Sequence, residues 1–163
     1  MARATPDRGD AAVTELWHFS EDPAIEVFVP HHHELHALDE PLVWAIDSER
    51  AWLYWFPRDC PRVCWWEGER RIAAIESAWL ERMHSTRVYA YRFPPATFEA
   101  WDKFFISRDT VVPLEVVALG DLVERHAAAG IDLRVEPSLY PLWDEVREAA
   151  DDFSGIRLRN AVY

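Results

Sequence analysis

The sequence predicts an α+β protein: one domain, a mixed and mostly antiparallel split sheet, and short helices at its flanks. Three observations carry that expectation. β-branched and aromatic segments recur along the chain with segments of helical period between them, and the two kinds do not keep the strict alternation of a doubly wound fold. Half of the 163 residues are apolar and 13% are aromatic, enough for one core and incompatible with a disordered chain. Only 5 residues are glycine, which argues against a loop-built or fibrous protein.

Residues 1–13 are polar, carry Pro6 and Gly9, and are expected to form a disordered tail ahead of a domain spanning 14–163. Leu16 to Phe19 read as a short strand, and Asp22-Pro23 as the N-cap and first-turn proline of a helical turn reaching Phe28. The stretch PHHHELHALDEP, residues 30–41, is histidine-rich and closed by prolines, as an exposed loop would be. Leu42 to Ile46 read as a buried strand. A helix follows from Asp47 or Ser48 to Phe56, with Ala51, Trp52 and Trp55 at helical spacing and Pro57 as its stop.

Arg62 to Trp66 and Arg71 to Glu76 read as two strands around the turn Glu67-Gly68-Glu69, and Ser77 as the cap of a short helix to Met83. Thr86 to Phe93 is the clearest strand, β-branched and aromatic, ending at two prolines. The spacing predicts a helix over Thr97 to Phe104. Phe105 to Ser107 and Val111 to Leu119 read as strands paired through a turn at Arg108-Asp109, with Pro113 placing the second at an edge or bulge. Gly120 to Ala129 is a helix stopped by Gly130, Ile131 to Val135 a strand, and Pro141 opens an amphipathic helix to Asp151. Up to Leu119 this makes roughly six or seven strands, and after Ile131 to Val135 the tail SGIRLRNAVY is expected to close the sheet.

A net charge of −12 sets the whole molecule against anionic surfaces, so nucleic acid and membrane are both disfavoured as partners. A local exception lies at Arg58, Arg62, Arg70 and Arg71, which suit a small phosphate ligand. Cys60 and Cys64 are too few for a disulfide framework and lack the spacing of a zinc or redox pair. With no apolar leader and no run long enough to span a bilayer, a cytoplasmic location is expected.

The candidate binding residues cluster in two places. His18 and Ser20 flank one residue at the end of the first strand, so that an imidazole and a hydroxyl face one pocket and can hold a ribose; a backbone-satisfied histidine and a turn-starting serine are the plain alternative. Residues 42–66 then gather five of the 9 tryptophans beside Tyr54 and a proline-bracketed Arg58-Asp59 loop. Tyr54 offers a flat face with a polar tip, Trp44 lies on the strand before it, and Arg58 offers a guanidinium fork to a pyrophosphate or carboxylate. The aromatic residues read equally as core, and Arg58-Asp59 as a surface pair. His31, His32, His33 and His36 could ligate a transition metal only if their loop were rigid, so no metal is expected.

LWHFS, VWAID, SERAWLYWFPRDCPRV and FSGIRLRNAV together resemble the signature of a small family of uncharacterised bacterial proteins, over nearly all of residues 14–163. More distantly, the order of features resembles the ADP-ribosyltransferase-like fold. His18, Ser20, Ala45, Ala51 and Tyr54 match its histidine-x-hydroxyl strand, its small-residue strand end and its alanine-tyrosine helix, and FFISRDTVVPLEVVAL is similar to its late strand pair.

That resemblance implies NAD as a cofactor, with His18 and Ser20 on the ribose and amide and Tyr54 stacked on nicotinamide. It further implies a small nucleotide ligand, with the acceptor unspecified. The active members place a glutamate where this chain has Phe104. A carboxylate there would stabilise an oxocarbenium-like state and orient the acceptor. Asp102, Glu115 and Glu76 are the carboxylates left for that role, and Glu115 joins His18 and Tyr54 in the implied catalytic set. The alternative is a non-catalytic module binding a small ligand or a protein on the same fold.

Overall fold

The computed structural model describes residues 15–32 and 38–162. In chain order its strands are β1 (Leu16–Ser20), β2 (Val43–Asp47), β3 (Arg62–Glu67), β4 (Arg70–Glu76) and β5 (Tyr89–Phe93). They continue as β6 (Glu99–Trp101), β7 (Phe104–Ser107), β8 (Glu115–Ala118), β9 (Asp132–Glu136) and β10 (Phe153–Ile156). The α-helices are α1 (Leu80–Ser85), α2 (Leu122–Ala128) and α3 (Tyr140–Ala149). The class is therefore α+β, with two mostly antiparallel sheets and three short helices among the described residues. None of those helices is long and apolar enough to cross a membrane.

The chain divides into two units, each built from two chain segments around its own sheet. The first comprises residues up to Trp52 and Tyr89–Ala118, and its sheet runs β6-β7-β2-β1-β5-β8 with every pair antiparallel. Pairing of Leu16 with Phe93, His18 with Tyr91 and Val43 with Ser107 sets Leu16, His18, Ser20, Val43, Ala45, Tyr91 and Phe93 on one face. Leu16, Val43, Ala45, Tyr91 and Phe93 are buried there with Val111, and Ile25, Phe28 and Phe98 pack against them. Each large side chain so enclosed contributes roughly 1.5–3 kcal/mol relative to exposure.

The second unit comprises Leu53–Val88 and Leu119–Tyr163, with the sheet order β10-β3-β4-β9. β4 and β9 are parallel, which a tight hairpin cannot connect; the chain leaves β4 and returns to β9 through α2. One face of this sheet buries Val63, Trp65, Ile72 and Ala74 against Leu139 and Val146 of the α3 segment. Alternation puts Arg62, Cys64, Ala73 and Ile75 on the other face, and all four are buried.

Several expected elements take another form. The helix over Thr97 to Phe104 is instead the β6–β7 hairpin, turned at Asp102 with φ 54° and Lys103, because pairing Trp101 with Phe104 lets the aromatic residues lie across the two strands. The helix expected up to Phe56 shrinks to a 3₁₀ turn, Ala51–Tyr54. Ala51 to Leu53 and Phe56 are buried, Tyr54 and Trp55 are half-buried, and Pro57 then stops the segment. The segment 22–28 forms no helix: the Ala24 N–H donates to Asp22 Oδ1 at 2.9 Å, and the buried Tyr91 hydroxyl accepts from the Ile25 N–H and donates to the Asp22 carbonyl. β7 and β8 are not partners. Val111 exchanges main-chain bonds with Phe28, which carries the chain away from β7 so that β8 lies beside β5. The hairpin adds β6 to the expected strands, and β10 lies at the edge of the second sheet, in the tail expected to close it.

Candidate functional site

The sequence candidates divide between the units: His18, Ser20, Trp44 and Glu115 in the first, Tyr54 and Arg58 in the second. His18 sits half-buried in β1, its ring edge-on to Phe28 at 4.8 Å and stacked on Phe93 at 5.9 Å. Its Nδ1 lies 3.2 Å from the Trp44 carbonyl. A carbonyl only accepts, so the bond requires the proton on Nδ1 and makes Nε2 the acceptor of the neutral ring. Ser20 shares the His18 face; its Oγ accepts from the Asp22 N–H at 3.0 Å, and its hydroxyl proton meets no acceptor among the described residues.

Trp44 and Glu115 occupy the opposite face. Register places Trp44 with Ile106, and its ring packs edge-on to Trp101 at 5.8 Å and Phe104 at 5.6 Å. Glu115 lies opposite Arg92, which pairs with Trp17, and accepts from Arg92 Nε at 2.6 Å. His18 therefore shares its face with neither side chain. Glu76, the other strand carboxylate considered, is 2% exposed and holds the N–H groups of Leu139 and Val162 at 3.0 Å each. That role is structural, since those donors would otherwise be left without a partner beside α3.

In the second unit, Tyr54 ends the 3₁₀ turn with its ring 5.8 Å from the Arg62 guanidinium carbon. Arg58 is exposed, and its loop is closed by the Cys60 N–H donating to the Pro57 carbonyl at 3.0 Å. The loop is latched from the C-terminal side: Arg157 Nε donates to the Arg58 carbonyl at 3.3 Å and Asn160 Nδ2 to the Asp59 carbonyl at 2.7 Å. Prolines shape this turn, but distant side chains hold it.

Sequence reasoning counted Arg62 only as one of a basic patch with Arg58, Arg70 and Arg71 and did not foresee its burial. Arg62 is 3% exposed, donates from Nε to Leu53 O at 3.2 Å and from Nη1 to Cys60 O at 3.0 Å, and lies over the Phe56 ring at 4.9 Å. Phe56 also meets His126, edge-on at 4.8 Å and fully buried. His126 Nδ1 donates to Leu122 O at 2.7 Å, and Nε2 is sealed without a partner. Burial, and then the Arg62 and Arg71 charges, push its pKa down to about 4 against the Leu122 bond. Burial likewise pushes the Cys60 and Cys64 thiols up to about 12, which makes both inert at neutral pH. The signal for Arg62 was its place in an apolar strand, where an arginine needs a reason to be.

Of the loop histidines, His31 exchanges main-chain bonds with Leu42 and His32 lies 3.5 Å from Asp39, both exposed; His33 and His36 fall outside the described residues. Among the described residues no group of three or more His, Cys, Asp or Glu side chains is placed to hold a metal ion. The profile of a family of unknown function, DUF6886, matches residues 17–161. The chain belongs to that family. The match covers both units of this DUF6886 protein, the β1 histidine and the Arg157–Asn160 latch included. Comparison with curated proteins and with solved structures finds no match.

Proposed function

We propose that this chain is a non-catalytic module that binds a small nucleotide, NAD foremost, on an ADP-ribosyltransferase-like scaffold. The observation that carries the reading is the separation of His18 from Glu115 onto opposite faces of one sheet. The reading is supported by His18 and Ser20 lying side by side on one face, with a hydroxyl proton to donate and an imidazole oriented by the Trp44 carbonyl. Two of the carboxylates considered for transfer are committed elsewhere. Glu115 is held by Arg92, Glu76 by main-chain N–H groups, and Phe104 stands where the transferases carry glutamate.

Titration of the protein with NAD by calorimetry, with a parallel assay for released nicotinamide, tests this. Saturable binding without release is expected, weakened by His18→Ala. Release of nicotinamide would make the protein an enzyme and overturn the non-catalytic reading. Absence of binding by NAD, ADP-ribose and AMP alike would remove the nucleotide.

A further inference from the structure

We propose that the second unit holds an anion site, in which Arg62 Nη2 and the Arg157 guanidinium bind a small ligand bearing phosphate or pyrophosphate. It stands on these two side chains and does not require that the ligand be a nucleotide.

Arg62 is 3% exposed as a residue, and a buried charge is tolerated when it is paired and hydrogen-bonded; its Nη2 is not among the sealed polar atoms, so what access remains serves that nitrogen. Arg62 is only half provided for. Nε and Nη1 reach two carbonyls and the Phe56 and Tyr54 rings cover its faces, but no carboxylate lies within ion-pair reach and Nη2 has no acceptor among the described residues. Glu76, one residue past the strand partner of Arg62, points to the other face of the sheet and is committed there. Cys60 and Cys64 lie close enough to compensate the charge if ionised, yet both remain protonated at neutral pH.

The neighbourhood adds a second cation where a counter-ion is missing. β10 pairs Ile156 with Arg62, so Arg157 follows at the adjacent position, and its charge acts unfavourably on the Arg62 guanidinium. Arg157 is held there by its Nε bond to the Arg58 carbonyl and adopts a left-handed backbone, φ 57°, which costs roughly 1 kcal/mol for a non-glycine residue. Its two terminal nitrogens meet no acceptor among the described residues. A clamp role for Arg62 on the Leu53–Cys60 segment accounts for Nε and Nη1. It does not account for a second arginine brought beside the first. An anion between the two satisfies both, and phosphate oxygens suit two guanidinium forks.

The chain's net charge of −12 opposes adventitious anion binding, which sharpens the test. Sodium pyrophosphate and sodium orthophosphate are titrated into the full chain at low salt, read by calorimetry and by the thermal unfolding midpoint. Saturable binding and a raised midpoint are expected, with affinity reduced about tenfold in Arg157→Gln, the loss of one charge-assisted bond. Arg62→Lys, which keeps charge without the fork, should abolish binding; if it fails to fold, Arg157→Gln decides. No saturable binding by wild type, or equal affinity in Arg157→Gln, overturns the site. Pyrophosphate binding without NAD binding keeps the site and removes the nucleotide reading. NAD binding without saturable pyrophosphate binding does the reverse.

Discussion

Single side chains in this protein are informative where their chemistry conflicts with their surroundings. His126 is the clearest case, an imidazole with a sealed Nε2 in the second unit's interior. Its folded pKa of about 4 lies below the ordinary 6.5, so between those values the unfolded chain binds a proton that the folded chain refuses. Stability from this residue is whole above pH 6.5, declines as pH falls, and is lost by about pH 4; a shift of that size corresponds to about 3 kcal/mol. Denaturant unfolding between pH 7 and pH 4 should therefore show a shallower decline in His126→Leu than in wild type, and equal slopes would refute the assignment. His126 could be read from sequence only as a helical residue, because its burial depends on Phe56 across the fold. Arg62 was likewise legible as a strand residue and a basic neighbour of Arg58, but the carbonyls that surround it belong to a turn no periodicity describes. By contrast His18 and Ser20 were placed correctly on one face, since period two is intrinsic to a strand.

At the scale of elements, close approach rather than propensity fixes β10 beneath α3. A Cβ on Gly155 would come within 2.7 Å of the Trp143 ring and 2.8 Å of Leu158 Cδ1, and a tryptophan held edge-on to Phe153 has little freedom to yield. Gly155→Ala is thus expected to destabilise by about 1–3 kcal/mol, the usual cost of overpacking, measured by denaturant unfolding. A neutral result would mean that the strand slides easily on the helix. Strand existence was largely legible: β1, β2, β3, β4, β5 and β9 follow runs of β-branched, aromatic or apolar residues, and α2 ends at Gly130, φ 76°, as its sequence requires. Pairing and helix extent were less so. Trp101 and Phe105 satisfy a helical period and also the two strands they actually form, and only the partner β2 decides between these. The expected partnership of β7 and β8 failed because Val111 is spent on Phe28, a contact between segments more than eighty residues apart.

For the whole molecule, charge and sheet edges act against each other. β8 ends the six-stranded sheet, and in and before it Val112, Leu114 and Val116 are 62%, 54% and 43% exposed, an outer strand whose apolar side chains are open to solvent. The net charge of −12 keeps copies apart at neutral pH, and that repulsion vanishes near the isoelectric point of about 4.9. Light scattering should accordingly rise as pH approaches that value while circular dichroism remains native, and Val116→Lys should suppress the rise. Equal scattering by the variant would place the association elsewhere. The two units interleave along the chain, and this order has a consequence for synthesis. β3 and β4 leave the ribosome as a hairpin, whereas their outer partners β9 and β10 are encoded after the whole of the first unit's sheet. From Glu76 to Ile156 translation takes roughly 4–16 s at ordinary rates. Until β9 is made the nascent hairpin shows both edges to its surroundings, and the β3 edge stays open until β10 follows; the Glu76 carboxylate waits meanwhile for its N–H partners at Leu139 and Val162.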